Sequence, residues 1–242
     1  MCTTCGCQNT EDLLEATDAN PHHHAHVHES IELEKAILET NTHYAQLNRK
    51  FIDEKKSVLL NFVSSPGSGK TSLLVQSIKD LSSQYPISVV EGDQYTELDA
   101  DRIRAAGAQA YQINTGKACH LDAHMVSHAF EHLDIKPNGF VLIENVGNLI
   151  CPALFDLGEN KRIVLISVTE GDDKPLKYPD MFYGADLVVV NKVDLLEYVD
   201  FNVDKLKENI HKIQPKAQVI TVSVKQLTHL DTWYQWLKGL LV

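Results

Sequence analysis

Between Val63 and Ser72 the chain reads V-S-S-P-G-S-G-K-T-S, directly after the apolar run Ser57–Val63 and at the start of a helix-forming stretch. Few features restrict a fold so tightly. A loop of small residues between a buried strand and a helix lets successive backbone N–H groups close around an anion, with the helix N-terminus facing the same way. In that arrangement Lys70 reaches the β/γ oxygens of a phosphate chain, and the Thr71 hydroxyl faces Mg²⁺. The pattern G-x-x-x-x-G-K-[ST] places Gly where this chain has Ser64, while Pro66-Gly67-Ser68-Gly69-Lys70-Thr71-Ser72 keeps the tight turn and the charge. A chance Gly/Ser loop is the plain alternative, and the strand–loop–helix setting argues against it.

A second motif says which nucleotide. Asn191-Lys192-Val193-Asp194 ends the β-rich apolar run Leu187–Val190, at the carboxyl end of a predicted strand, where open α/β sheets bind ligands. The Asp194 carboxylate can accept two parallel N–H bonds, from N1 and the 2-amino group of guanine. Adenine offers neither donor, and a buried acceptor left unpaired is costly. Alone this tetrapeptide reads as a strand and a polar turn; paired with the loop at Lys70 it points to GTP and GDP.

Strands and helices alternate from Ser57 onward. Strands are expected near 57–63, 87–93, 108–114, 139–145, 162–169, 186–191 and 218–224, and helices near 70–83, 96–106, 119–133, 175–183, 203–213 and 227–240. That order predicts an α/β fold, a mostly parallel sheet flanked by helices on both faces. Ahead of it, Leu33, Ile37, Tyr44, Leu47 and Phe51 recur at amphipathic-helix spacing between Ser30 and about Lys55. Residues 1–29 lack hydrophobic periodicity and are expected to form a disordered arm, leaving 30–242 as one nucleotide-binding domain with an N-terminal helix.

Composition narrows the partners. A formal charge of −11 and a pI near 5.5 argue against nucleic acid held on a basic face. No apolar run approaches the roughly 18 residues that span a bilayer, and the start lacks the basic-then-apolar pattern of a secretion signal. The expectation is a cytoplasmic protein whose five cysteines are reduced thiols or metal ligands rather than structural disulfides.

Three groups of soft or borderline ligands stand out. Cys2, Cys5 and Cys7 in M-C-T-T-C-G-C place three thiols beside a terminal amine, a donor set that suits square-planar Ni²⁺ as well as tetrahedral Zn²⁺. A redox dithiol is the alternative, although no βαβ unit positions it. His22, His23, His24, His26 and His28 form an interrupted imidazole tract for Ni, Cu or Zn. The third group is Cys119, His120 and His124, expected together on one helix, with Cys151 in a later loop. Helical spacing would turn His120 and His124 the same way. His128 and His132 continue that stripe and are expected on an exposed face, since three turns put His132 about 18 Å from His120.

The strand F-V-L-I-E-N-V-G-N, Phe140–Asn148, resembles the D-x-x-G element of GTPases, with Glu144 as the carboxylate near Mg²⁺ and Gly147 as the γ-phosphate sensor. Cys151 follows on the same loop, so nucleotide state and metal site share one short segment. No water-orienting Gln follows Gly147; the residue is Asn148, which implies slow turnover.

Together these segments resemble the HypB family, the GTPases that deliver nickel during [NiFe]-hydrogenase maturation. The resemblance runs through M-C-T-T-C-G-C, S-S-P-G-S-G-K-T-S, E-G-D-Q, T-G-K-A-C-H-L-D-A-H, E-N-V-G-N-L-I-C-P, V-T-E-G-D-D-K-P-L-K-Y-P and N-K-V-D-L-L, nearly the whole chain. It implies a P-loop GTPase that forms a homodimer, with Cys119, His120 and Cys151 near the subunit interface, His124 as a further ligand, and a separate nickel site at Cys2, Cys5 and Cys7. It implies an accessory maturation protein and the hydrogenase large-subunit precursor as partners. It also places Asp93 and Glu144 at Mg²⁺, with Asp99 a weaker candidate, and Ser223 and Lys225 in the loop behind the guanine ring. Lys174 and Lys177 stay open between nucleotide, partner subunit and solvent. Two rivals remain: a GTPase serving another nickel enzyme such as urease, and a nickel-storage protein.

Overall fold

Seven strands pair into one sheet, in the order β3-β2-β4-β1-β5-β6-β7 and with every pairing parallel; the central ones are apolar runs, while the edge strands β3 and β7 mix polar and apolar residues. The strands are β1 (Val58–Ser64), β2 (Ile87–Asp93), β3 (Gln109–Asn114), β4 (Phe140–Glu144), β5 (Lys161–Ser167), β6 (Leu187–Asn191) and β7 (Gln218–Thr221). Every residue of β1, β4 and β6 is buried, as expected when helices cover both faces of a parallel sheet. The helices are α1 (Pro21–Glu54), α2 (Lys70–Leu81), α3 (Leu98–Ala105), α4 (Ala123–Glu131), α5 (Lys174–Lys177), α6 (Pro179–Phe182), α7 (Val203–Ile213) and α8 (Leu230–Lys238). This computed structural model describes residues 21–93, 97–116 and 118–241, with side chains from Lys35 onward. Cys2, Cys5 and Cys7 lie outside the described residues, as do the side chains of the His22–His28 tract.

Alternation along the strands divides the core. Leu60, Phe62, Val89, Leu142 and Leu165 pack under α2, α3 and α8 through Leu74, Ile78, Ile103 and Trp233. Leu59, Val90, Val141 and Ile143 face the other way, against Ile52 of α1 and Val126 and Phe130 of α4. A third cluster joins Val63, Val164, Val188 and Val190 to Phe182, Leu206 and Ile210. Trp233 is fully buried, and its indole N–H donates to Ser77 Oγ at 2.9 Å, so the largest side chain of the core leaves no donor unmet.

Three boundaries differ from the expected ones. Helix α1 opens at Pro21, ahead of the Ser30 start that the apolar spacing predicts; proline is tolerated at a first helical position, where its missing N–H has no intrahelical partner to lose. The expected helix at 175–183 is two short helices, because Pro179 cannot donate to the preceding turn and starts a new one. Helix α4 begins only at Ala123. Asp122 is its N-cap, with Oδ1 accepting from the Met125 N–H at 2.8 Å.

The start of α4 is also where α1 docks. Asn41 Oδ1 accepts from the Ala123 N–H, and Asn48 Nδ2 donates to Ala123 O, both at 2.8 Å. Asn48 Nδ2 reaches Leu157 O as well, at 3.0 Å, and Asn41 Nδ2 reaches Asp156 O at 2.8 Å. Buried asparagines thus fix the segments on either side of Cys119–His120 and of Cys151 against one rigid helix.

Candidate functional site

The loops that leave the carboxyl ends of β1, β2 and β4 enclose a cleft of about 580 Å³. Pro66 to Ser72, Asp93, Glu144 and Gly147 all line it, as the sequence motifs require. The turn into α2 passes through Gly69 at φ +105°, a conformation side chains rarely adopt; a Cβ there would also stand 2.4 Å from Asn191 Nδ2. Ser64, the departure from the usual glycine, is fully buried at the end of β1. Its hydroxyl donates to Ser65 O and accepts from Ser68 Oγ and from Lys70 Nζ, each at 2.7 Å. Ser64 therefore holds Lys70 from below.

Opposite the lysine sits a set of oxygen donors. Thr71 Oγ1 lies 2.7 Å from Glu144 Oε1 and 3.0 Å from Asp99 Oδ2, which brings Asp99 closer to the centre than its sequence context implied. Glu144 pairs in register with Glu91 of the adjacent strand, so the two carboxylates share one face of the sheet. Burial pushes Glu91 up to about 8, with the Glu144 charge adding to the effect. Burial also pushes Glu144 up to about 7, against the pull of Lys70 and the Thr71 hydrogen bond. Lys70 is lowered by burial, an effect that Glu144 and Asp99 oppose. Glu91 Oε2 and Glu144 Oε2 are buried without a hydrogen-bond partner. A hydroxyl, several carboxylates and two unmatched buried oxygens are the donor set of a small hard cation, and fit Mg²⁺.

A second cleft of about 420 Å³ opens beside the first and is lined by Asn191, Lys192, Asp194 and Lys225. Asn191 ties it to the phosphate loop: Nδ2 donates to Ser68 O at 2.9 Å while Oδ1 accepts from the Val224 N–H at 3.3 Å. Lys192 Nζ donates to Gly67 O at 2.7 Å. Ser223 Oγ donates to Asp194 Oδ1 at 2.5 Å, which orients the Asp194 carboxylate. Lys174 and Lys177 both pair within their own loop, Lys174 with Glu170 at 3.2 Å and Lys177 with Asp173 at 2.6 Å.

The metal-ligand cluster corrects one expectation. Ligand atoms of Cys119, His120 and Cys151 all lie within 4.8 Å of one another. His124 is not in that group; its ring is exposed and packs on Tyr44, 4.5 Å between centroids. The helical spacing argument fails because Cys119 and His120 precede the Asp122 cap and sit in a loop, so no helical turn relates His120 to His124. His128 and His132 lie exposed on α4 as expected. Cys151 is buried at the start of a 3₁₀ turn, Cys151–Leu154, and the His120 ring stacks on Phe155 at 4.1 Å. Burial lowers the His120 pKa, which favours the neutral imidazole that a metal needs. Two sulfurs and an imidazole suit Ni²⁺ or Zn²⁺.

Two contacts join this cluster to the phosphate cleft. Asn145, next to Glu144 and lining that cleft, accepts from the Leu121 N–H at 3.3 Å and from the Val146 N–H at 2.9 Å. Leu121 in turn lies so close over Gly92 that a Cβ there would stand 2.8 Å from Leu121 Cγ. The residue after His120 thus touches both the β2 end and the β4 end of that cleft. Glu91 and Asn145 were not singled out from sequence; Glu91 stands in the E-G-D-Q segment, but only strand register brings it beside Glu144.

Residues 58–221 match the family model of the CobW/HypB/UreG nucleotide-binding domain. A hydrogenase maturation factor HypB of Rhizobium leguminosarum bv. viciae is 56% identical over 208 residues, covering 86% of this chain and 70% of the relative. The chain belongs to the HypB family. The HypB of Escherichia coli K12 aligns over 98% of each chain at 40% identity. The crystal structure of Helicobacter pylori HypB in complex with nickel superposes with a TM-score of 0.79 at 42% identity, covering 84% of this chain and 95% of that one. These relatives are named for hydrogenase maturation, and the solved H. pylori HypB shares the fold of this chain. Among the described residues, no helix is long and apolar enough to cross a membrane.

Proposed function

We propose that this HypB-family protein is a cytoplasmic GTP-hydrolysing nickel metallochaperone that supplies the [NiFe]-hydrogenase large-subunit precursor, together with an accessory maturation protein. One observation carries the reading: in the Cys119–His120–Cys151 cluster, Cys151 lies on the segment that leaves Glu144, and the Cys119–His120 segment is bonded to that same segment through the Leu121 N–H and Asn145 Oδ1. A nucleotide site and a transition-metal site built on one loop are what a nucleotide-gated carrier needs. Nickel, with zinc as a competitor, is the cargo and the GTPase cycle is the gate.

In this mechanism the backbone N–H groups of Gly67–Thr71 cradle the phosphates, and Lys70 leaves Ser64 for the β/γ oxygens. Thr71 and Glu144 would hold Mg²⁺, with Asp93, Asp99 and Glu91 around it, and the ion there would supply positive charge beside the phosphate oxygens that Lys70 reaches. Asp194, braced by Ser223, selects guanine. Catalysis is positioning and charge stabilisation, and Asn148 in place of a water-orienting Gln makes turnover slow. GTP orders the loop from Glu144 to Cys151 and favours the homodimer; exposed Ile150 and Leu154 flank buried Cys151 and supply apolar surface for that contact. Hydrolysis relaxes the loop and changes the geometry of the Cys151 thiolate relative to His120, releasing nickel. Cys2, Cys5 and Cys7 form a separate, tighter nickel site.

The test is nickel content of the cognate hydrogenase precursor after incubation with nickel-loaded protein and either GTP or a non-hydrolysable analogue. Transfer with GTP and little with the analogue is expected; equal transfer would remove hydrolysis from the mechanism.

A further inference from the structure

The two clefts meet at the start of α2, and four residues line both: Gly69, Ser72, Arg102 and Lys192. A nucleotide with its phosphates in one cleft and its base in the other must pass its ribose and α-phosphate over that junction. Gly69 has no side chain, and Lys192 Nζ is bonded to Gly67 O. Arg102 projects from α3, with Nη1 2.9 Å from Asp99 Oδ1 and Nη2 3.4 Å from Ser72 Oγ. These two contacts occupy a minority of the five N–H donors of a guanidinium, and its side chain is 51% exposed at the mouth. Its planar fork is fixed in direction by Asp99, which itself bonds Thr71 of the phosphate loop.

Charge points the same way. The phosphate cleft is lined by Glu91, Asp93, Asp99 and Glu144 against Lys70, Lys192 and Arg102. Lys70 lies buried at the β/γ end, so among the described residues Arg102 is the lining cation whose head stands beside Ser72 at the other end.

We propose that Arg102 is a nucleotide-binding residue, held by Asp99 against Ser72 so that its guanidinium bonds the α-phosphate of a guanine nucleotide. This rests on the guanine-nucleotide reading of the site. The alternative is an i,i+3 surface ion pair with Asp99 that adds little to α3 and nothing to the ligand.

Affinities of guanosine, GMP, GDP and GTP, with Mg²⁺ present, separate the readings when measured for the full chain and for Arg102→Ala, Arg102→Lys and Arg104→Ala. Arg104 lies on the same helix and pairs with Asp101, but lines neither cleft. Arg102→Ala is expected to weaken GMP, GDP and GTP about tenfold each, about 1.4 kcal/mol, and to leave guanosine unchanged. The loss should appear in KM, Arg102→Lys should recover part of it, and Arg104→Ala should bind like the parent. Equal weakening of guanosine, or the same loss in Arg104→Ala, would mean damage to α3 and overturn the proposal. No loss for any ligand would reduce Arg102 to a surface ion pair. A loss confined to GTP with a fall in kcat would move its contact to the γ-phosphate and also overturn it. Failure of the unmodified protein to bind any guanine nucleotide would instead overturn the functional reading on which the proposal stands.

Discussion

Ser64→Ala isolates what the serine in place of the usual phosphate-loop glycine does. The Ser64 hydroxyl uses its one donor on Ser65 O and both acceptor positions on Ser68 Oγ and Lys70 Nζ, all at 2.7 Å and fully buried. Neutral hydrogen bonds contribute about 1 kcal/mol each and one to a charged group about 1.5–3, so losing two of the first kind and one of the second should cost the nucleotide-free protein about 3.5–5 kcal/mol. For a chain of this size that is a fall in Tm of about 7–20 °C. With GDP or GTP bound, Lys70 has turned to phosphate oxygens and its bond to Ser64 is already given up. The charged share of the loss, about 1.5 kcal/mol, therefore disappears, and by linkage the variant binds nucleotide about tenfold more tightly. Thermal unfolding in EDTA and again in saturating MgGDP, with calorimetric titration of GDP, measures both quantities. Equal destabilisation in the two states, or weaker nucleotide binding, would refute the claim that Ser64 restrains the lysine of the empty site.

The raised carboxylates give a pH signature. Glu91 and Glu144 titrate at about 8 and about 7 in the folded protein, against an ordinary 4.5, so between pH 4.5 and 8 the folded empty protein binds more protons than the unfolded chain. Stability without nucleotide or cation must then fall as pH rises through that window and level off above it, and Glu91→Gln should stabilise the empty protein at pH 8 but not at pH 4.5. Urea midpoints from pH 4.5 to 9 in EDTA check this; a Glu91→Gln variant no more stable at pH 8 would contradict the assigned burial. Asp194→Asn should weaken GTP at least about a hundredfold while improving xanthosine triphosphate, because xanthine offers an acceptor where guanine has its 2-amino donor. Competition binding of the two triphosphates reads the switch, and parallel losses for both would deny Asp194 the base-reading role.

Much of the fold could be read from local signals because they agree with one another. The central strands are short apolar runs bounded by turn residues, the edge strands β3 and β7 carry β-forming Tyr, Ile, Val and Thr, and alternation with helices forces parallel pairing. The phosphate loop and Asn191–Asp194 were legible because backbone geometry and base chemistry dictate those residue types at those spacings. Reading failed where the determining fact is a cap or a register. Asp122 looks like any helical acid until its carboxylate is seen capping α4, and that cap is what removes His120 from the helix and His124 from the cluster. It was a legible signal, since Asp three residues before Met125 is an ordinary helix start. Glu91, Asn145 and Arg102 had no such signal. They act through neighbours distant in sequence: Glu91 through Glu144 across two strands, Asn145 through the Leu121 N–H, and Arg102 through Ser72 at a junction that exists only once the clefts have formed.

The central claim is that nucleotide and metal bias the same loop. The decisive measurement is nickel affinity of the Cys119–His120–Cys151 cluster in the full chain carrying Cys2→Ala, Cys5→Ala and Cys7→Ala, by chelator competition with GDP or a non-hydrolysable GTP analogue bound. Because Leu121 and Asn145 tie the cluster to both ends of the phosphate cleft, the two affinities should differ by about 5–150-fold, or about 1–3 kcal/mol of coupling. Nickel must then shift the GTP/GDP preference by the same factor, and Cys151→Ala must abolish most of it. Identical nickel affinities in the two nucleotide states would contradict the account.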